Sequence, residues 1–223
     1  MIIIHTRLKG TDYVWYASYG SNLDRNRFSC YIEGGKPEGS GKVEAGCRDQ
    51  SPPIKEATHI MRYPLYFAKE SARWQQQGVA FIGLDKDEKH YTYSTKYLIT
   101  VEQFMDVVKQ ENNGLNLEID LETVMVNGLE AFSNSWYGMI LHIGEAEGYP
   151  IFTFTADSEP EITFNKPSDE YLSMIINGLK TTIGLENTEI TNYLTSKPGI
   201  TGNCDRKAIE KLVLNWGDRS IQI

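Results

Sequence analysis

Apolar residues fall into two patterns along the chain. Through about residue 165 they come in short runs and two-residue alternations, and after it they recur three and four positions apart. The first pattern predicts strands and the second helices. Val14-Trp15-Tyr16 opens a strand that favours a pleated, half-buried surface. It stops at Tyr19-Gly20-Ser21-Asn22, where Gly tolerates unusual backbone angles and Ser and Asn bond their own backbone. Asp24 to Tyr31 then reads as a short helix, and residues 1–13 as a leading strand and turn. Gly34 to Pro53, rich in Gly, Pro and charge, reads as a long surface loop able to border a pocket.

Strand signals return at His59 to Tyr63 and Leu65 to Ala68, with Pro64 between them marking a bend or an edge. Gln77 to Leu84 is nearly all apolar and predicts a buried strand; Tyr91 to Ile99 predicts another. Thr100 and Gln103 form a capping box for a helix that buries Phe104, Val107 and Val108 and ends near Asn112-Asn113-Gly114. Val124 to Phe132 fits neither template. Trp136 to Ile143 and Tyr149 to Thr155 predict two strands joined at residues 144–148, and Pro160 to Lys166 an extended segment. Pro167 to Glu170 opens an amphipathic helix with Tyr171, Met174, Ile175 and Leu179 on its apolar face and Gly184 as its stop. Helices at about 188–195 and 205–216 follow. The pattern predicts an α+β fold, a small curved mixed β-sheet or barrel with helices packed on one side.

Composition narrows the function classes. The chain has 223 residues, 40% hydrophobic and 11% aromatic, enough for a sizeable core. Its net charge of −8 and the lack of a Lys/Arg cluster argue against nucleic acid and against an anionic membrane surface. Cys30, Cys47 and Cys204 are odd in number and form no CxxC pair, which predicts free thiols rather than a disulfide framework or zinc site. The apolar run at the N-terminus is too short for a signal peptide, and no stretch approaches 18 apolar residues. The expectation is a cytoplasmic protein.

Familiar catalytic motifs are missing: no Walker loop, GxGxxG, HExxH or GxSxG. His5, His59, His90 and His142 are scattered without a partner at a known spacing; His142, inside an apolar strand, is the one to inspect first. Ser21 lacks an evident base to act as a nucleophile. Two features remain. The strand–turn–helix at 14–31 leaves backbone N–H groups that point one way, a receptor for a carboxylate or carbonyl oxygen, although turn chemistry alone accounts for its residues. Glu111 ends a helix, where its charge opposes the macrodipole at a cost of a few tenths of a kcal/mol, roughly. It is either an exposed surface glutamate or an acid–base group in a cleft.

Tyr19-Gly20-Ser21-Asn22-Leu23 resembles the Y-G-S-N signature of the γ-glutamylcyclotransferase-like superfamily, which includes the AIG2-like proteins. Lys109-Gln110-Glu111-Asn112 resembles the later family segment that carries a glutamate, with Asn112 where Gly is usual and Val107-Val108 where Leu-Asp is common. Trp74 to Phe81 and Pro167 to Gly178 are similar to the bacterial branch. The resemblance spans residues 14–184 and leaves the last forty aside. It implies a γ-glutamylcyclotransferase-like domain over 1–184, with 185–223 as a C-terminal helical extension packed on it.

The resemblance further implies that a γ-glutamyl amine or peptide cyclises to 5-oxoproline and releases the amine, without cofactor or metal. Glu111 is then the general acid/base. Tyr19, Gly20, Ser21, Asn22 and Leu23 hold the substrate, and amide donors there could stabilise the oxyanion, a term worth about 2.7–4 kcal/mol each. The partner is a small γ-glutamyl molecule; oligomeric state is left open. The alternative is a non-catalytic member of the fold that binds a small acidic metabolite or a protein, and a purely structural domain is the third possibility. A cavity shared by Glu111 and the 19–23 turn would favour the enzyme.

Overall fold

The structure, a computed structural model, describes residues 8–37, 42–115, 118–157 and 162–219. Most of the expected leading strand, with His5, and parts of the 34–53 loop and the 160–166 segment lie outside the described residues. The central strand β1 (Tyr13–Ser18) is buried along nearly its whole length. It pairs antiparallel with β5 (Thr92–Thr100) and parallel with β8 (Tyr149–Thr155). With β2 (Lys55–Met61), β6 (Leu129–Ala131) and β7 (Met139–Ala146) they make a curved mixed sheet in the order β2-β5-β1-β8-β7-β6. A separate ribbon joins β3 (Leu65–Ser71) and β4 (Gln77–Ile82). Pro64 stands where the chain leaves the large sheet for this ribbon, and its carbonyl accepts the Gly83 N–H.

Alternation along β1 assigns two cores, because successive strand side chains face opposite ways. Val14 and Tyr16 join Phe28, Tyr31 and Ile32 of α1 (Arg25–Glu33), together with α2 (Val101–Glu111) and α3 (Leu121–Asn127). Trp15 and Ala17 face the ribbon and the last helices, α4 (Asp169–Gly178), α5 (Asn187–Thr195) and α6 (Arg206–Arg219). The helices therefore cover both faces of the sheet, not one. The reason is visible in β1 itself, whose two faces are both apolar and both need covering. Ile190, Tyr193, Leu194, Ile209 and Val213 belong to the same core as α4. No helix among the described residues is long and apolar enough to cross a membrane.

Local rules account for the element ends. Thr100 and Gln103 form the capping box on α2. Asp24 caps α1 by accepting the N–H groups of Asn26 and Arg27 at 2.8 and 3.2 Å. The ambiguous 124–132 segment divides at Gly128, which takes a left-handed backbone, into the end of α3 and the edge strand β6. After α4 a π-helical turn continues to Gly184, again left-handed. The 34–53 loop is less superficial than its composition suggests. Gly35 and Glu44 bridge, and Glu44 and Cys47 turn inward to full burial.

Candidate functional site

The turn after β1 is a single 3-10 turn, Ser21–Leu23, held at several points. The hydroxyls of Ser18 and Tyr97 both donate to the Asn22 carbonyl, each at 3.0 Å. Tyr19 donates its hydroxyl proton to the Phe154 carbonyl at 2.8 Å. Helix α4 lies directly on the turn. A Cβ at Gly178 would sit 2.5 Å from the Leu23 carbonyl carbon, so only Gly permits this approach.

A cavity of about 860 Å³ opens beside the turn. Tyr19, Gly20, Ser21 and Asn22 line it from one side and Glu111 from the other. Trp74, Trp136, Tyr137 and Tyr171 add an aromatic wall. The Asn22 side-chain amide donates to Glu111 Oε1 at 3.1 Å, so the two motifs, 89 positions apart in sequence, meet in space. Leu23 is the exception. Its side chain is fully buried in the core, it does not line the cavity, and its N–H closes the turn on the Gly20 carbonyl at 3.0 Å. The Gly20 and Asn22 amides make no hydrogen bond among the described residues. Of the amides expected to be open from Gly20 to Leu23, the Leu23 N–H is the one the turn uses itself, in its 3-10 bond.

The electrostatics centre on Glu111. Burial pushes its carboxyl above the ordinary glutamate value, while Arg27, the Tyr31 hydroxyl and Arg73 pull it down and Glu44 adds to the rise. Arg27 Nε donates to Ser21 Oγ at 2.6 Å and Nη2 to Tyr31 Oη at 3.3 Å. Glu44 faces Arg27 at 3.8 Å and accepts from Arg73 at 2.6 Å. Asn22 Oδ1 and Arg27 Nη1 are buried beside the cavity without a protein partner. Burial also raises the hydroxyls that surround the carboxylate: Tyr16 and Tyr31 go well above their ordinary value and Tyr171 to about 12, so all three are protonated donors at neutral pH.

Asn112, which stands where the related motif has Gly, is 1% exposed. Its Nδ2 donates to the Val108 and Tyr137 carbonyls at 2.7 and 3.0 Å, and its Oδ1 accepts from the Ser135 hydroxyl. It thereby pins the 133–137 segment, which supplies Trp136 and Tyr137 to the wall, to the end of α2. His142 of β7 packs against Phe152 of β8 and does not line the cavity. Cys47 is buried and its thiol is pushed up to about 12, the profile of an inert core cysteine. Among the described residues, no cluster of three His, Cys, Asp or Glu could hold a metal ion.

Sequence reasoning did not single out Arg27, Tyr31, Tyr171 or the 133–137 segment. Arg27 and Tyr31 carried a usable signal, since they lie four apart on the face of α1 that also holds Phe28 and Ile32. A cation on an apolar helix face is unusual unless something buried needs it. The loop residues carried none.

No family model matches the chain. Histone deacetylase 5 of Arabidopsis thaliana is 37% identical over 206 residues, which cover 83% of this chain and 31% of that protein. The chain thus spans about a third of this curated relative. Among solved structures, an uncharacterized protein from Homo sapiens aligns at TM-score 0.51 and 15% identity over 91% of this chain and 98% of its own. One described as gamma-glutamyl cyclotransferase aligns at TM-score 0.46 and 17% identity over 92% and 99%. These likenesses concern the fold. With its curved mixed sheet, its Tyr-Gly-Ser-Asn turn after the first strand and its flanking helices, the chain has the α+β fold of that human protein.

Proposed function

We propose that the protein is a γ-glutamylcyclotransferase-type enzyme that converts a γ-glutamyl amine or peptide to 5-oxoproline and the free amine. The observation that carries this is the meeting of Glu111 and Asn22 at 3.1 Å in the wall of one cavity. Had Glu111 pointed to solvent, the non-catalytic binding alternative would have gained.

The chemistry fits these groups. The substrate's α-amino nitrogen attacks its own δ-carbonyl carbon; that N–C bond forms and the bond from the carbonyl carbon to the departing nitrogen breaks. Two protons leave the α-ammonium and two arrive on the departing amine, so none is consumed. Glu111 takes a proton from the ammonium and returns one to the leaving nitrogen. A carboxyl raised by burial serves better in both directions than an ordinary one, since its pKa lies nearer the working pH. The reacting groups belong to one molecule, so the cavity's task is to fold it into a near-attack shape. The Gly20 and Asn22 amides are the donors for the developing oxyanion or for the substrate carboxylate.

Residues 1–184 are on this proposal the catalytic domain and 185–223 an extension of it. The burial of Ile190, Tyr193 and Ile209 in the α4 core supports the packing of that extension on the domain. The test is a panel of γ-glutamyl amines and dipeptides assayed for 5-oxoproline. Turnover that vanishes in Glu111→Gln supports the assignment; no product from any member, with a γ-glutamyl compound retained in the cavity, supports the binding alternative.

A further inference from the structure

The hydroxyl of Tyr171 stands over the turn. Tyr171 lines the cavity from α4, is 4% exposed and lies 5.2 Å from the ring of Trp74. A Cβ built on Gly20 would come 3.0 Å from its Oη, so the hydroxyl fills the space that the glycine leaves open. That oxygen accepts the Ala80 N–H at 3.2 Å. Its own proton has no acceptor among the described residues. Buried hydroxyls normally find one. Tyr19 and Tyr137, which line the same cavity, give theirs to the Phe154 and Ala80 carbonyls at 2.8 and 3.1 Å.

We infer that Tyr171 is a further catalytic residue, its hydroxyl donating to the δ-carbonyl oxygen of the γ-glutamyl group and to the oxyanion formed there. The inference deepens the proposed function above and rests on it for the reaction. The Gly20 amide beside this hydroxyl makes no hydrogen bond among the described residues. One donor from the turn and one from α4 thus serve the same oxygen. Two residues on, Asn22 meets Glu111 at 3.1 Å, which puts the group that moves the proton beside the same turn. No proton leaves Tyr171. As the α-amino nitrogen attacks, the carbonyl π electrons pass to the oxygen, and they return when the bond to the departing nitrogen breaks.

The donor is held in place before any substrate arrives. The Tyr171 N–H is fixed by the capping Ser168 Oγ at 3.1 Å, and α4 itself rests on the turn at Gly178. The bond from Ala80 pins the phenolic oxygen, so only rotation of the O–H remains. Accepting that bond also polarises the hydroxyl toward a stronger donor. Burial raises the phenol to about 12, and the proton stays on at neutral pH. A preorganised donor in such a buried place stabilises developing charge far better than water does. The alternative is a hydroxyl that serves only as the acceptor for the Ala80 N–H.

The test separates donating from accepting. Tyr171→Phe removes the hydroxyl, whereas 4-aminophenylalanine placed at 171 keeps a donor whose nitrogen accepts poorly from Ala80. Folding is checked by circular dichroism, and kcat and KM are measured on the γ-glutamyl compound that wild type turns over. Tyr171→Phe should lower kcat by about 10²–10³ with KM little changed, the loss expected for one oxyanion donor. The amino variant should recover most of that loss. A folded Tyr171→Phe protein within about tenfold of wild-type kcat overturns the inference, and so does an amino variant that falls as far as Phe. If Tyr171→Phe does not fold, the amino variant decides alone, and a kcat loss beyond about tenfold counts against the donor. If wild type makes no 5-oxoproline, the proposed reaction fails and the donor is judged by binding of 5-oxoproline, followed by NMR titration. Tyr171→Phe, or the amino variant in its place by the same tenfold limit, is then compared with wild type. Affinity weakened about 2–10-fold by the loss of the hydroxyl, as for one neutral hydrogen bond, retains the donor; equal affinity, or no binding to wild type, removes it.

Discussion

Replacing Glu111 by Gln separates catalysis from folding. Gln keeps the side chain's size and the Oε1 acceptor that the Asn22 amide reaches at 3.1 Å, but it cannot take up a proton. Loss of a positioned general base costs about 10²–10⁴ in rate, or about 2.7–5.4 kcal/mol of barrier. Stability should move the other way. Burial raises the Glu111 carboxyl above its unfolded value, so the folded state holds that proton more tightly. Its contribution to stability is fully present below the unfolded pKa and is lost as pH rises through the folded one. Above that folded midpoint the ionised glutamate thus weighs against the fold and Gln does not. The variant should be as stable as wild type or more so at pH 8, with the difference closing at pH 5. The assays are initial rates of 5-oxoproline release and urea midpoints at both pH values. A variant within tenfold of wild-type rate refutes the base. A loss of about 3–5 kcal/mol at pH 8 would instead make Glu111 the necessary partner of a buried cation, a structural role.

Three further substitutions test how the site is held. Gly178→Ala improves helix propensity and by that alone would stabilise α4, yet its Cβ meets the Leu23 backbone at 2.5 Å; we expect a net loss of about 1–3 kcal/mol in thermal unfolding, and a gain would show that α4 does not rest on the turn. Asn112→Gly restores the residue usual in the related motif but removes three hydrogen bonds, so it should raise KM by loosening Trp136 and Tyr137 and cost about 1–3 kcal/mol by urea titration; an unchanged KM would show that the 133–137 segment is held by other means. Asp24→Ala strips the cap from α1, the helix that carries Arg27 and Tyr31, and should cost about 0.5–2 kcal/mol by the same titration.

Much of the fold was legible because it is written locally. The capping box at Thr100 and Gln103, the left-handed stop at Gly184 and the apolar run of β4 depend on neighbours within a few residues, and each formed where those rules place it. Strand order was not legible. The parallel pairing of Trp15 with Ile151 joins residues far apart in the chain, and nothing in either run of apolar side chains names its partner. The two-sided helix cover was within reach, because Val14 to Ala17 is apolar at every position. A strand meant to face solvent on one side alternates instead.

The site divides along the same line. The turn announced itself because Gly, Ser and Asn carry backbone consequences that act at once, whereas Glu111 is an ordinary helix-end glutamate until the sheet brings it to Asn22. Leu23 shows the limit of a motif read as a block: its side chain belongs to the core and its N–H to the turn. Arg27 shows the reverse. It lies outside the motif, yet it bonds Ser21 inside it and Tyr31 beside the same cavity. The cost of burying that cation is what makes it informative. A guanidinium is a poor choice for packing alone at that position, and its presence is explained by the Ser21 and Tyr31 hydroxyls that it bonds and by the Glu44 carboxylate that faces it.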